Sequence, residues 1–296
     1  MNCFKSCLDC FRGSITYEEI PSEEVDERTP LKKEEKILKK CLLIGINYTG
    51  TRSELNGCIN DSNNLKEFLI KSKYMKEEDI TMMNDHCKGT ELYPTKNNMV
   101  KQFKELVKYA DKHKNEKIQM FVAYSGHGYH LYDYSGDEYD NQDEVLCTID
   151  DKFIRDDMLK SELIDKLHEG VQLVFICDSC HSHTLLDFKY SFKGGKMVQN
   201  PDRTITSKCK AVAICGCSDD DYSSDAYIPT KTGRYQYQGA MTASFLATYK
   251  DGISYKDLIE GMRGWIKKNK FTQLPHLSTD DYTDTKDQFI LGTYDV

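Results

Sequence analysis

Five short apolar runs alternate with helical patterns along most of this chain, and that alternation constrains the fold more than any other feature. The runs are CLLIGI (41–46), IQMFVAY (118–124), VQLVFIC (171–177), AVAIC (211–215) and QFILG (288–292). Continuous apolar runs of this length are typical of strands buried on both faces of a sheet. Strands that alternate with helices predict an α/β fold, a mostly parallel sheet with helices on both faces.

Several stretches between the runs carry apolar residues at helical spacing. They comprise Leu65, Phe68 and Leu69; Val100, Phe103, Val107 and Ala110; Leu159, Leu163 and Leu167; Met241, Phe245 and Tyr249; and Tyr255, Leu258, Ile259, Met262 and Ile266. Two segments interrupt the scheme, the acidic 133–157 and the Gly- and Lys-rich 189–210. We interpret 133–157 as a segment outside the strand–helix scheme and expect 189–210 to be exposed and flexible.

The chain divides into an extension, 1–38, and one domain, 39–296. The extension is charged, contains Pro21 and Pro30, and carries Cys3, Cys7 and Cys10 in one short stretch. This composition is typical of a mobile segment.

Composition excludes several classes of protein. The 40 basic and 48 acidic residues give a net charge of −8, and no basic pattern suggests a nucleic-acid surface. No apolar run approaches the ~18 residues that a membrane-spanning helix needs. The 12 cysteines are sparse for a disulfide scaffold, and no secretory signal precedes them. We therefore expect a cytoplasmic protein that binds no nucleic acid and has no transmembrane segment.

Reactive residues follow two of the predicted strands. One strand runs into Ser125-Gly126-His127-Gly128 and the other into Asp178-Ser179-Cys180-His181. Ligands bind outside the carboxyl ends of strands in such sheets, so His127 and Cys180 lie side by side if the strands are neighbours. A thiol beside an imidazole is the pair that makes cysteine nucleophilic. The N–H groups of Gly128 and Cys180 are candidate oxyanion donors.

Two other interpretations of these residues stay open at this point. A histidine after a strand is usually a polar loop residue, and a single cysteine is usually buried filler. Cys177 and Cys180 also form a C-x-x-C pair, which suits zinc or redox chemistry. Cys215 and Cys217, with the nearby histidines 181 and 183, keep a zinc site possible.

The chain resembles the type I metacaspases, a family of caspase-like cysteine peptidases. The resemblance rests on motifs that keep their order over nearly everything past Lys39. They are LLIGINY (42–48), GCINDSNNL (57–65), AYSGHG (123–128), DSCHS (178–182), SDDDYSSDA (218–226), GAMTASFL (239–246) and LPHLST (274–279). It implies a caspase-like three-layer sandwich and a catalytic dyad of His127 and Cys180.

The resemblance also implies a substrate pocket for basic side chains. It assigns the S1 pocket to Cys58, Asp61, Ser125 and Asp178. Two carboxylates in one pocket select Arg or Lys at P1 and reject acidic side chains. On residue pattern alone, Asp61 is also well explained as an acid at the start of a helix.

The acidic segment is a candidate calcium site, although it is not an EF-hand. In an EF-hand frame starting at Asp133, the required glycine falls on Glu138, and no helical pattern precedes the loop. The resemblance instead implies an activating Ca²⁺ bound by acids scattered along the sequence. They are Asp140, Asp156, Asp157 and Asp187.

The sequence therefore predicts a Ca²⁺-stimulated cysteine endopeptidase, with protein or peptide substrates that carry Arg or Lys at P1. We expect self-processing within 189–210, near Lys193–Lys196 or Arg203, and in the extension, where Arg28, Lys32 and Lys33 are similar targets. The resemblance favours a monomer. Two alternatives remain. One is a catalytically weak or inactive metacaspase-like scaffold, because His183 stands where the family usually has glycine, and the other is a zinc-binding regulatory module.

Overall fold

The computed structural model describes most of the chain from Lys36 onwards. The described residues are 36–132, 142–180, 185–186, 188–201, 203–205, 207–217, 225–229 and 235–292. Except for its last three residues, the predicted extension 1–38 lies outside them, and so does the prediction that it is mobile.

Strands and helices alternate along the described chain. The strands are β1 (Leu38–Gly45), β2 (Ile80–Asn84), β3 (Ile118–Ser125), β4 (Gly128–Tyr132), β5 (Gln142–Cys147), β6 (Phe153–Arg155), β7 (Val171–Asp178), β8 (Tyr190–Lys193), β9 (Lys196–Gln199), β10 (Lys210–Cys217), β11 (Asp225–Pro229), β12 (Tyr235–Gly239) and β13 (Leu274–Thr279). The α-helices are α1 (Cys58–Lys71), α2 (Lys96–Lys112), α3 (Asp156–Glu162), α4 (Ala240–Thr248) and α5 (Tyr255–Lys268).

The main sheet has the strand order β2-β1-β3-β7-β10-β13-β8-β9. The first five strands of this order are parallel to one another, and β13 runs antiparallel to β10. The predicted α/β class with a mostly parallel central sheet is confirmed.

Helices cover both faces of the sheet because successive strand residues point to opposite sides. Leu42 and Ile44 of β1 belong to a core that contains α2 and α3 side chains. Cys41 and Leu43 belong to a second core, which holds side chains of α1, α4 and α5. The sheet therefore forms the middle of three layers.

The prediction of a strand at 288–292 is wrong. Phe289, Ile290 and Leu291 are buried in the second core, but the segment forms turns, with one isolated bridge from Gln288 to Ser254. The side-chain amide of Gln119 donates to the Ile290 carbonyl at 2.8 Å, so a buried side chain takes the place of a strand partner. An apolar run signals burial, and here it does not signal a strand.

Two interrupting segments contain more structure than we predicted. Within 133–157, β5 and β6 form a three-stranded sheet with β4. Within 189–210, β8 and β9 form a hairpin at the edge of the main sheet, and Phe192 is buried in the second core. The helix predicted through Leu167 ends at Glu162 and is followed by a 3₁₀ turn, Ile164–Lys166.

Candidate active site

The carboxyl ends of β1, β3 and β7 lie side by side. Gly45 pairs with Ser125, and Ser125 pairs with Asp178. The loops that carry His127 and Cys180 therefore leave neighbouring strands at the same edge, which is where α/β sheets bind ligands.

The His127 ring is held by a main-chain carbonyl. Nε2 of His127 lies 2.8 Å from the carbonyl oxygen of Ser53. A carbonyl only accepts hydrogen bonds, so in the neutral ring Nε2–H donates and Nδ1 keeps its lone pair. The Ser53 contact therefore leaves Nδ1 as the nitrogen that can take a proton from a thiol.

Tyr48 forms a platform beneath His127. Its ring centroid lies 4.8 Å from that of His127, and its Oη accepts from the His127 main-chain nitrogen at 3.0 Å. The same Oη donates to the Cys147 carbonyl at 2.8 Å. Tyr48 is buried and has a φ of 52°, which is uncommon for a residue other than glycine. A buried tyrosine in this conformation fixes both the main chain and the ring of His127.

Cys180 lies two residues beyond the end of β7, with 7% of its surface exposed. Gly128 packs directly against it, because a Cβ at Gly128 would overlap the Cys180 carbonyl oxygen and lie 2.9 Å from the Ser179 Oγ. Only glycine allows this approach. The two loops thus meet main chain to main chain, with both candidate oxyanion donors in the adjoining segments.

Neighbouring cysteines are less suited to act as the nucleophile. Cys177 is fully buried in the first core, as its place at the end of an apolar run predicted, and its Sγ lies 3.1 Å from the Ser179 Oγ. Burial raises the pKa of the Cys147 thiol to about 12, which keeps it protonated near neutral pH.

Asp61 is a buried carboxylate beside these loops. It sits one turn after Cys58 at the start of α1, and its side chain is fully buried. The Ser125 hydroxyl donates to Asp61 Oδ2 at 2.6 Å, and the Gly239 main-chain nitrogen donates to Oδ1 at 2.9 Å. The structure thus brings two of the predicted S1 residues, Asp61 and Ser125, into direct contact, and Cys58 lies one turn away on the same helix.

Asp178 is the second buried carboxylate beside these loops. The Thr242 main-chain nitrogen donates to Asp178 Oδ2 at 2.7 Å, and Gln273 Nε2 approaches Oδ1 at 3.5 Å. Burial raises the pKa of the Asp178 carboxyl above its ordinary value, although the Thr242 hydrogen bond opposes that rise.

The two carboxylates converge on Gly239. A Cβ there would overlap Asp178 Oδ2 and lie 2.9 Å from Asp61 Oδ2. Gly239 precedes α4 and offers no side-chain cap, so Asp61 and Asp178 accept N–H groups at the start of this helix. The positive end of the helix dipole favours anions at this position.

The acidic segment presents its described acids at the start of another helix. Asp156 and Asp157 open α3, and Asp156 is buried. Asp156 Oδ2 accepts from the Glu144 main-chain nitrogen at 2.9 Å and Oδ1 accepts from that of Asp157 at 2.8 Å. Asp140 and Asp187 lie outside the described residues, and the described part contains no group of three or more potential metal ligands.

Comparisons with known proteins give one family. A family model for the metacaspase, peptidase C14 domain matches residues 39–189. Metacaspase-1 of Kluyveromyces lactis is 33% identical over 86% of this chain and 68% of the relative. Metacaspase-1 of Saccharomyces cerevisiae is 31% identical over 86% of this chain and 69% of the relative.

This chain belongs to the metacaspase family.

The predicted metacaspase resemblance is thereby confirmed, and the family is one of cysteine peptidases that act on proteins. A solved structure from Geobacter sulfurreducens has a TM-score of 0.58 at 20% identity and covers 86% of this chain and 98% of its own. That likeness supports the caspase-like fold alone. The chain spans about two thirds of the length of the metacaspase relatives it matches.

Two further sequence predictions, on membrane spans and on zinc, can be compared with the described residues. No described helix combines the length and apolarity that crossing a membrane requires. Because Cys177 is buried in the core and no described cluster suits a metal, the zinc-module alternative gains no support from the described residues. His181 and His183 lie outside the described residues, and so does the prediction of an inactive scaffold, which rests on His183.

Several residues of the site were not singled out from the sequence. They are Tyr48, Ser53, Gly239, Thr242 and Gln273. Tyr48, Gly239 and Thr242 fall within motifs that carried the metacaspase resemblance, but nothing in their spacing signals a role. Ser53 acts through its carbonyl, for which the side-chain sequence gives no signal.

Proposed function

We propose that this metacaspase domain is a cysteine endopeptidase that cleaves after Arg or Lys, is stimulated by Ca²⁺ and cleaves itself. The observation that carries the proposal is the convergence of two fully buried carboxylates, Asp61 and Asp178, at the sheet edge from which the Cys180 loop leaves. Two buried carboxylates held close together favour a ligand that brings positive charge.

The chemistry follows from the two loops. Nδ1 of His127 takes the Cys180 proton, and the thiolate attacks the scissile carbonyl carbon to form a tetrahedral intermediate. The N–H groups of Gly128 and Cys180 stabilise its oxyanion. Collapse of the intermediate breaks the C–N bond, and the proton held by His127 goes to the leaving amine. Water then hydrolyses the thioester, with His127 acting as its base, and this restores the thiol.

The pocket supplies specificity through charge. Asp61 and Asp178 attract a guanidinium or ammonium group, while a P1 Asp would add a third negative charge. Ser125 and Cys58 line the same space and carry no charge. The N–H donors of Gly239 and Thr242 hold the two carboxylates in position before substrate arrives.

Ca²⁺ stimulation is proposed for the acidic segment. Asp156 and Asp157 fit such a site in their chemistry, because carboxylate oxygens are the hard ligands that Ca²⁺ takes. We assign Asp140 and Asp187 as the remaining carboxylates. The ion would supply positive charge that neutralises their mutual repulsion.

Self-cleavage is proposed within 189–210. The β8–β9 turn exposes Lys193 and Lys196 around Gly194 and Gly195, whose φ angles are 58° and 81°. This tight turn must open before a protease can bind it in an extended conformation, whereas the described residues next to Arg203 and Lys208 belong to no helix or strand. We therefore expect cuts after Arg203 or Lys208 first. Mapping of new termini after incubation with Ca²⁺ checks the order, and ends that also form in Cys180→Ala would reveal a contaminating protease.

The nucleophile is tested with Arg, Lys and Asp peptide reporters, each with and without Ca²⁺. Cys180→Ala should abolish hydrolysis, while the matched thiol control Cys87→Ala, outside the site, should leave it unchanged. An Arg-chloromethylketone should label Cys180 in the wild type. Turnover that survives Cys180→Ala would contradict the dyad, and a folded wild type that neither cleaves nor is labelled would favour the inactive scaffold.

A further inference from the structure

Gln273 is a buried amide beside Asp178 whose carbonyl oxygen has no hydrogen-bond partner among the described residues. It lies immediately before β13, and only 3% of its surface is exposed. Its Nε2 approaches Asp178 Oδ1 at 3.5 Å. Its Oε1 is buried and accepts no hydrogen bond from any described residue. Leaving a buried acceptor unsatisfied costs free energy, which a ligand that donates a hydrogen bond to it would recover.

The position of Gln273 follows from the sheet. Leu274 pairs with Cys217 at the carboxyl end of β10, so the residue before Leu274 reaches the same edge as Asp178. A Cβ placed on Gly216 would lie 3.7 Å from Gln273 Nε2 and 3.6 Å from the Ser179 carbonyl. The amide is therefore close to both the pocket acid and the residue that precedes Cys180.

We propose that Gln273 forms a third polar wall of the S1 pocket and selects arginine over lysine at P1. The inference rests on the proposed function. An arginine guanidinium has five N–H donors in a planar fork, so it can bond the carboxylates and still direct one donor to Oε1. A lysine ammonium donates from a single point at the tip of its side chain. The carboxylates attract both side chains, while the amide oxygen distinguishes them by shape.

The test compares the preference for Arg over Lys, as the ratio of kcat/KM values, in the wild type and in Gln273→Met. Methionine keeps the length and volume of the side chain but has no amide oxygen. We expect the preference to fall by about tenfold, the effect of losing one hydrogen bond to a charged group. Because loss of the contact from Nε2 to Asp178 affects both substrates, the ratio isolates Oε1.

The chain offers a matched control in Gln172. This glutamine is also buried, with 6% exposed and an Oε1 that has no partner among the described residues. It lies near the amino end of β7, whereas Asp178 is the residue at the carboxyl end of the same strand. Gln172→Met should keep the wild-type preference for Arg over Lys.

A second variant and a binding assay separate this proposal from the proposed function. Gln273→Asn withdraws the amide by one methylene and should also lower the preference, which guards against misfolding of Gln273→Met. Both variants are also made in Cys180→Ala, where calorimetry compares peptides that end in Arg or Lys without any turnover. A preference that is the same in wild type and both Gln273 variants would overturn the inference, even if Arg cleavage itself is intact.

Discussion

Two pairs of acids sit at helix starts in this molecule, and they differ in where they come from. Asp156 and Asp157 are consecutive residues that open α3, and Asp156 accepts from the main-chain nitrogens of Asp157 and of Glu144 in β5. Asp61 and Asp178 come from α1 and β7 and meet at the start of α4, to which neither belongs.

The difference separates local from long-range placement. An acid in the first turn of its own helix is what helix stability favours, whether or not it also binds a cation. Two acids brought together from distant segments against one glycine concentrate negative charge in a buried space, and burial raises the pKa of Asp178. The second arrangement is the one that requires a functional explanation.

The largest expected effect is on P1 specificity and concerns Asp61 and Asp178, the acids that meet at the start of α4. Asp178→Asn should cost about 2–5 kcal/mol in kcat/KM for Arg substrates, the scale for truncating one partner of a buried charge pair. Reporters with neutral P1 residues should lose much less. Asp156→Asn, measured at saturating Ca²⁺, should alter Arg and neutral substrates equally. An equal loss on both substrates in Asp178→Asn would make Asp178 a support for the loop.

A smaller effect concerns stability and pH at the same carboxyl. Because the pKa of Asp178 is raised in the folded protein, its contribution to stability is fully present below the unfolded-state pKa of about 3.9. That contribution is lost as pH rises through the folded-state pKa. Thermal unfolding should therefore show Asp178→Asn gaining stability relative to wild type between pH 4 and pH 7. A relative loss over that interval would mean that the buried carboxylate is stabilised as the charged form.

The smallest effect is expected for Asp156 and Asp157, the two acids that open α3. Asp156→Ala should lower stability by about 0.5–2 kcal/mol, the range for losing a capping side chain, since both oxygens accept main-chain N–H groups. It should also raise the Ca²⁺ needed for half-maximal activity and reduce the upward shift in Tm that we expect on addition of Ca²⁺. Asp257→Ala, an exposed acid in the first turn of α5, is the control. Equal effects of both variants on the Ca²⁺ response would mean that Asp156 acts through overall charge and does not bind the ion directly.

Sequence reasoning located the parts of the molecule that depend on local pattern. The four parallel strands with continuous apolar runs were recognisable, and so were the loops that carry His127 and Cys180. β13 was missed because it begins with an exposed leucine and a proline and buries polar side chains such as His276 and Thr279. β13 is held in the sheet by its pairing with β10, which the sequence pattern of β13 does not predict.

The proximity of Asp61 and Asp178 depends on the tertiary structure and could not be predicted from local sequence patterns. Asp61 and Asp178 could be placed together only through resemblance to a family, since they lie more than a hundred residues apart in the sequence. The contacts of Gly239, Thr242 and Gln273 with these acids arise from the packing of α4 and β13 against β7 and β10. Those contacts depend on tertiary geometry, and no periodicity in the sequence records them.

The most direct measurement of the central claim is the P1 profile of the wild-type protein in a peptide library that varies this position, with Ca²⁺ present. The paired carboxylates at Gly239 predict cleavage after Arg and Lys, with Arg preferred, and none after Asp or Glu. Cleavage after acidic residues, or equal cleavage after neutral and basic ones, would contradict the assignment of Asp61 and Asp178 to substrate selection.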